Sequence, residues 1–156
     1  MKRYGERERL RLPRFGEDGG IHAGRQITVT SAGESHGQWD TVRIAQLLSN
    51  LIGNALEHGG ADSAVAIALD GRQPGWVILT VTNDGRIAPE VAPHIFDPFR
   101  SGREPGARQG LGLGLYIAQE IARAHGGKIT LESDAARTTF RVALPREGEH
   151  NLTGRM

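Results

Sequence analysis

Hydrophobic and polar positions change their period several times along the chain, and each change marks an element. From Arg25, "QITVT" puts Ile27 and Val29 on one side with polar residues between them, the two-residue period of a strand. After "SAGESHG" a second short extended stretch reaches Trp39, and Asp40 then stands where a helix N-cap is favoured, because its carboxylate can accept from free backbone N–H groups. From Thr41 to His58 the apolar residues Ala45, Leu48, Ile52 and Ala55 recur at helical spacing, which predicts an amphipathic helix with that stripe facing the core. Gly59 and Gly60 stop it. "AVAIALDG" and "GWVILTVTNDG" alternate Val65, Ile67 and Leu69, then Val77, Leu79 and Val81, and with "GRQPG" between them they read as a hairpin. "APEVAPHIF" is expected to form a short helix or turn opened by Pro89, and "DPFRSGREPGARQ" a loop of Gly, Pro and Arg with little apolar content. A second long helix is expected after "GLGLGL", with Leu113, Ile117, Ile121 and Ala124 on one stripe and Gly126 and Gly127 at its end. "KITLES" and "TTFRVALP" complete the pattern as a strand pair, with Phe140, Val142 and Leu144 facing inward. Helices and strands mix through mostly hairpin connections, so the fold class is α+β, a sheet covered on one face by helices.

At 156 residues the chain suits one domain with one core. Residues 1–24 are charged, Gly-rich and aperiodic and read as a flexible or trimmed segment, 25–146 as the domain, and 147–156 as a flexible tail. Nineteen Lys and Arg against eighteen Asp and Glu leave a formal net charge of +1, so no global field draws the chain to nucleic acid or to an anionic membrane. Any anion must be held locally. The absence of cysteine removes disulfides, thiolate metal sites and cysteine nucleophiles. No apolar run approaches the roughly 18 residues of a membrane span, and "MKRYGERERLRL" lacks the apolar centre of a signal peptide, so a cytoplasmic domain is expected.

Three stretches are candidates for chemistry. In "NLIGNALEHG", Asn50 and Asn54 stand one helical turn apart, and Glu57 and His58 continue the line on what should be the face opposite the apolar stripe. Asparagine is a mediocre helix former. Exposed polar positions would account for the pair, but so would a Mg²⁺ site, since the ion takes amide oxygens and usually keeps phosphate and water in its shell. In "GLGLGL", Gly110, Gly112 and Gly114 open a helix, where backbone N–H groups and the positive end of the helix dipole favour phosphate, although glycines also serve tight packing. The stretch matches neither the dinucleotide nor the P-loop pattern. In "VTNDGRIAPE" a strand runs into Asn83, Asp84 and Gly85; an Asx turn would account for it, as would side chains reaching into a pocket.

In this order the stretches resemble the catalytic and ATP-binding domain of bacterial sensor histidine kinases, of the superfamily shared with gyrase, heat-shock chaperone and mismatch-repair ATPases. "RIAQLLSNLIGNALEHG" resembles the N box, "VTNDGRIAPE" the first glycine box, "PHIFDPF" with Phe96 and Phe99 the phenylalanine box, and "GLGLGLYIAQEIARAHGGKITLES" the second glycine box. The resemblance covers Arg25 to Pro145. It implies the Bergerat fold, a two-layer α/β sandwich in which a mixed sheet of about five strands packs against about three helices, with ATP under a flexible lid. It further implies that Asn54 is the Mg²⁺ ligand, that Asn50 lies beside it near the phosphates, that His58 contacts phosphate or sugar, and that Glu57 is among the nucleotide-binding residues. Asn83 would meet the adenine, and Gly85, Ile87 and Phe99 would be among the residues that bind the nucleotide. Gly110, Leu111, Gly112, Leu113 and Gly114 would carry the lid and offer N–H groups, and Arg100, Arg103 or Arg108 would meet the γ-phosphate or remain solvated. Asn50, Asn54 and Arg100 would be the catalytic set.

The sequence departs from the family pattern in three places. Asn83 stands where an aspartate usually accepts from the adenine amino group, an uncharged acceptor for a charged one. Arg86 follows Gly85 where a glycine often stands, and Glu57 replaces a common Lys or Arg. None of the six histidines is followed by the acidic residue that marks a phosphoacceptor; they precede Ala23, Gly37, Gly59, Ile95, Gly126 and Asn151. The resemblance therefore implies a catalytic domain, monomeric by itself, that transfers the γ-phosphoryl of Mg-ATP to a histidine on a separate dimerisation domain and acts indirectly on a response regulator. The alternatives are a nucleotide-binding sensor module without transfer activity, or a serine kinase of the anti-sigma type. Where gyrase-type ATPases place a glutamate base the chain has Asn50, so water should be poorly activated.

Overall fold

The computed structural model describes residues 8–11, 21–22, 25–59, 64–98 and 113–147. Its strands are β1 (Glu8–Arg11), β2 (Ile21–His22), β3 (Arg25–Gly33), β4 (His36–Trp39), β5 (Val65–Gly71), β6 (Trp76–Asp84), β7 (Lys128–Ser133) and β8 (Arg137–Pro145), with helices α1 (Thr41–His58) and α2 (Gly114–Ala124). The main sheet runs β2-β3-β5-β6-β8-β7, and β1 pairs separately with β4. β3 and β5 are parallel, joined through α1, and the other pairings are antiparallel, which makes the sheet mixed. Five of its strands are long and β2 adds two residues at the edge. The segment 1–24, read as flexible or trimmed, thus contributes β1 and β2, which are recruited by backbone pairing.

One face of the sheet and the inner faces of both helices make a single core. Val65, Ile67 and Leu69, then Val77, Leu79 and Val81, and Phe140, Val142 and Leu144 are buried as the alternation requires. Each large apolar side chain so buried contributes about 1.5–3 kcal/mol. The helix stripes need correction. In α1 the buried residues are Ile44, Leu47, Leu51 and Ala55, while Leu48 and Ile52 are half-buried and Ala45 is exposed. The expected stripe lies on one shoulder of the buried face, because apolar residues occupy more than a third of the circumference and spacing does not say which of them meets the sheet. In α2, Ile121 is buried as expected, Ala118 and Ala122 join it, Leu113 and Ile117 are half-buried, and Ala124 is exposed. Small residues go inward there because the helix lies close to β7 and β8.

The ends of both helices are tied down. Asp40 caps α1 by accepting from the Arg43 backbone N–H at 3.0 Å. Its own N–H donates to His125 Nε2 at 3.1 Å, while the buried His125 ring contacts the Ile121 carbonyl through Nδ1 at 2.8 Å, which identifies the neutral Nδ1-protonated form. The end of α2 is thereby fastened to the start of α1. Gly126, at φ 79°, turns the chain out of α2 in the left-handed conformation that glycine tolerates best. The expected third helix is only a 3₁₀ turn, Ala92–His94, where Pro93 lacks the N–H a longer helix would use. Phe96 just beyond it packs edge-on against Phe140, ring centroids 6.0 Å apart. Among the described residues no helix is long and apolar enough to cross a membrane.

Candidate functional site

The C-terminal half of α1, the end of β6 and the start of α2 meet at one end of the sheet. Asn50 and Asn54 are half-buried and border the α1 core face rather than opposing it, correcting the expected arrangement. Position 50 follows buried Leu47 by three residues and position 54 follows buried Leu51 by three, so both amides sit at the seam between core and solvent. There Asn50 Nδ2 donates to the Gly114 carbonyl at 3.0 Å, joining α1 to the first residue of α2. Leu113, half-buried, is the residue that leads into α2, and its side chain caps none of the N–H groups of the opening turn.

Further along the same helix, Glu57 and His58 are exposed. Desolvation by the surrounding protein nevertheless lowers the pKa of His58 from its ordinary value. The turn after β6 folds against this end of α1. Gly85 has φ 119°, a backbone conformation that demands glycine, and a Cβ built on it would press on the His58 carbonyl at 3.3 Å. The turn is pinned from β8: Gly85 N–H donates to Ala136 O at 2.9 Å, and Thr138 Oγ1 donates to Gly85 O at 2.8 Å. Ile87 is half-buried against the core, and its N–H reaches Ser133 Oγ at 3.4 Å.

Asn83 extends the inward row of Val77, Leu79 and Val81 by one step and is only 3% exposed. Its Nδ2 donates to the Asp84 carbonyl at 2.9 Å. Its Oδ1 is buried and has no hydrogen-bond partner among the described residues. Buried polar atoms are nearly always satisfied, so an orphaned acceptor at a strand end requires an explanation.

The structure therefore brings together Asn50, Asn54, His58, Asn83, Gly85, Leu113 and Gly114, with Glu57 and Ile87 at the margin. Phe99, Arg100, Arg103, Arg108, Gly110, Leu111 and Gly112, and the lid expected there, lie outside the described residues. Sequence reasoning missed Thr138 and Ser133, which shape the Gly85 turn. A signal was present: Thr138 is the polar continuation of the Phe140, Val142 and Leu144 row and is 2% exposed. It also missed Arg146, whose guanidinium donates to the carbonyls of His36, Glu34 and Gly71 at 2.6–2.7 Å. That fork lies at the other end of the sheet, where it closes chain reversals and takes no part in the site.

The chain resembles known proteins in sequence and in fold. The model of the family described as "Histidine kinase-, DNA gyrase B-, and HSP90-like ATPase" matches residues 39–148. The sensor histidine kinase TrcS of Mycobacterium tuberculosis is 42% identical over 112 residues, which are 68% of this chain and 22% of that protein. The signal transduction histidine-protein kinase AfsQ2 of Streptomyces coelicolor is 40% identical over 115 residues, 72% of this chain and 21% of its own length. The chain thus spans only a minor part of these relatives. The solved catalytic domain of histidine kinase ThkA superimposes with a TM-score of 0.68 at 31% identity, covering 78% of each chain. The chain belongs to the histidine kinase-, DNA gyrase B- and HSP90-like ATPase family, and its fold is that of a histidine kinase catalytic domain.

Proposed function

We propose that this chain binds Mg-ATP between α1 and the ends of β6 and α2, and passes the γ-phosphoryl group to a histidine presented by a separate dimerisation domain, from which a response regulator is charged. The observation that carries the reading is the Asn50–Gly114 hydrogen bond, which sets the amide-bearing edge of α1 against the opening turn of α2. Phosphoryl transfer asks the protein for positioning and charge neutralisation more than for covalent chemistry. The site suits that demand. Backbone N–H groups at the start of α2 face phosphate oxygens, and Asn50 holds that turn in place.

The donor set also fits a magnesium ion. Among the described residues no group of three or more His, Cys, Asp and Glu stands together, so a site built wholly of protein carboxylates is not what the chain offers there. The Asn54 amide oxygen is a hard donor at the rim of the site, and Mg²⁺ characteristically takes few protein ligands beside phosphate and water. When bound, the ion neutralises charge on the phosphates. Arg100, Arg103 and Arg108 are the candidates for the remaining charge on the γ-phosphate. Asn50 is no base for water, so the group waits for a better nucleophile, the imidazole of an acceptor domain.

Radiolabelled γ-phosphate should stay on ATP when the chain is alone and appear as acid-labile label on an added acceptor domain from the parent kinase. Acid-stable labelling of a serine would favour a serine kinase of the anti-sigma type. Tight ATP binding with neither transfer nor hydrolysis would leave a sensor module.

A further inference from the structure

We infer that His125 is a positioning residue for the nucleotide site: as a neutral ring it clamps the tail of α2 to the head of α1, and protonating the ring opens the clamp and loosens the phosphate end of α2. The inference rests on the nucleotide-binding reading above and deepens it.

His125 is 4% exposed, and no step of the proposed transfer uses it. Its two ring nitrogens face groups of opposite kind. The Ile121 carbonyl can only accept, so Nδ1, 2.8 Å away, carries the proton; the Asp40 N–H can only donate, so Nε2, 3.1 Å away, offers a lone pair. Neutral imidazole satisfies both at once, and only in this tautomer. A second proton, on Nε2, would set two donors against each other in a buried place. The Asp40 carboxylate is then an alternative partner for the imidazolium, but it accepts from the Arg43 N–H as the cap of α1, and turning to the ring would uncap that helix.

The ring lies between the negative end of α2 and the positive end of α1, so the two helix dipoles act on its charge in opposite directions. The other ionisable groups on the elements around it are, among the described residues, Arg43 on α1, the Glu120–Arg123 pair on α2, Lys128 at the head of β7, the Glu34–His36 pair at β4, and Arg146 just after β8. Arg43, Glu120, Arg123 and Lys128 are exposed, and the Arg146 guanidinium is engaged by three carbonyls. None of the cations among them can accept from the Asp40 N–H in place of the ring.

His125 acts on the site through α2. It joins the end of α2 to the start of α1, while Asn50 joins the middle of α1 to Gly114, the first residue of α2, so the two helices run antiparallel and are tied at both ends of α2. With eleven residues α2 is a bar about 16 Å long between those ties. Once the His125 tie is released, the bar is held by its apolar face and by one exposed hydrogen bond, at the end where its N–H groups are proposed to face phosphate.

The test measures ATP affinity in Mg²⁺ by calorimetry at about pH 7.5 and about pH 5.5, either side of the ordinary histidine value. It compares the unmodified chain with His125→Gln, whose amide oxygen can accept from Asp40 but takes no proton, so that the titrations of ATP and of His58 cancel. The parent is expected to lose about three- to tenfold more affinity on acidification than the variant. An equal loss would overturn the inference. Ring-resolved NMR of the parent gives a reading that does not depend on the variant's folding: at neutral pH the ring should be protonated at Nδ1 and bare at Nε2, and the amide signals of Asp40 and Gly114 should shift together as it titrates. An Nε2-protonated ring, a ring that stays neutral until the chain unfolds, or a Gly114 signal indifferent to the ring's charge would overturn it. Absence of ATP binding at every pH is a separate result, which removes the nucleotide reading itself and this inference with it.

Discussion

Asn50 Nδ2 donates to the carbonyl of Gly114 at 3.0 Å, so one asparagine of α1 holds the first residue of α2 across 64 positions of sequence. Asn50→Asp replaces the donor with an oxygen aimed at another oxygen. The bond is solvent-accessible, so the expected loss of stability is modest, about 0.5–1.5 kcal/mol by denaturant titration. The loss of ATP affinity should be larger, because the start of α2 is where phosphate is expected. A variant that binds ATP as the parent does would show that this contact does not organise the site.

Gly85 is required by its φ of 119°, and the His58 carbonyl 3.3 Å from a built Cβ leaves little room besides. Gly85→Ala should cost about 1–3 kcal/mol of stability, the usual range for a residue held in a sparsely populated backbone region. Thr138→Val, which removes the hydroxyl that donates to Gly85 O, should move in the same direction by less. Unfolding curves for the two variants that superimpose on the parent would contradict this account of the turn.

Asn83→Asp loses the N–H held by Asp84 O and leaves two oxygens facing each other in a buried place. A cost of about 1–3 kcal/mol is expected near neutral pH. It should shrink in acid, where a protonated carboxyl can again donate. Melting temperatures of parent and variant across pH test this; a variant more stable than the parent at neutral pH would refute the role given to the Asp84 carbonyl.

His58 has its pKa lowered from 6.5 by desolvation. A histidine with a depressed folded value binds more protons when unfolded, so its contribution to stability is present above the ordinary value and is lost as pH falls toward the folded one. Nearby phosphate charge should raise the value again, so ATP binding is expected to take up protons and to tighten as pH drops through this range. NMR titration of the ring reads both effects. A free-chain value above 6.5, or one that ATP leaves unmoved, would remove His58 from the site.

Asn54 offers one oxygen, so metal and nucleotide should bind together, with phosphate and water completing the shell. EDTA should weaken ATP binding by calorimetry, and Asn54→Ala should imitate EDTA while leaving the melting temperature nearly unchanged, the side chain being half-buried at the rim. Equal affinity with and without the chelator would sink the metal assignment.

Much of this protein was legible in its sequence because strands announce themselves locally. The alternations in β5, β6 and β8 are two-residue patterns whose inward positions are apolar except for Asn83 and Thr138 at the site end, and a one-residue error would have turned charged and hydroxyl side chains into the core. Caps and stops were legible for the same reason: Asp40, Gly59 and Gly126 act on backbone groups within a few residues of themselves. The four motifs, by their order, pointed to the family and to the residues of α1 and β6 that gather at the site. Tertiary structure decided what local pattern could not. Which shoulder of α1 meets the sheet depended on where β5 and β6 lie, and that choice moved Asn50 and Asn54 from an outer face to the seam with α2. β1 and β2 exist through backbone pairing, and β1 finds its partner far along the chain in β4, with Glu8 opposite Trp39. The direction of the Asn83 amide belongs to the same class. The sequence by itself showed an amide where a carboxylate is usual, but only the folded turn, with the Asp84 carbonyl at 2.9 Å, determined which of its two polar atoms is hydrogen-bonded and which has no partner among the described residues.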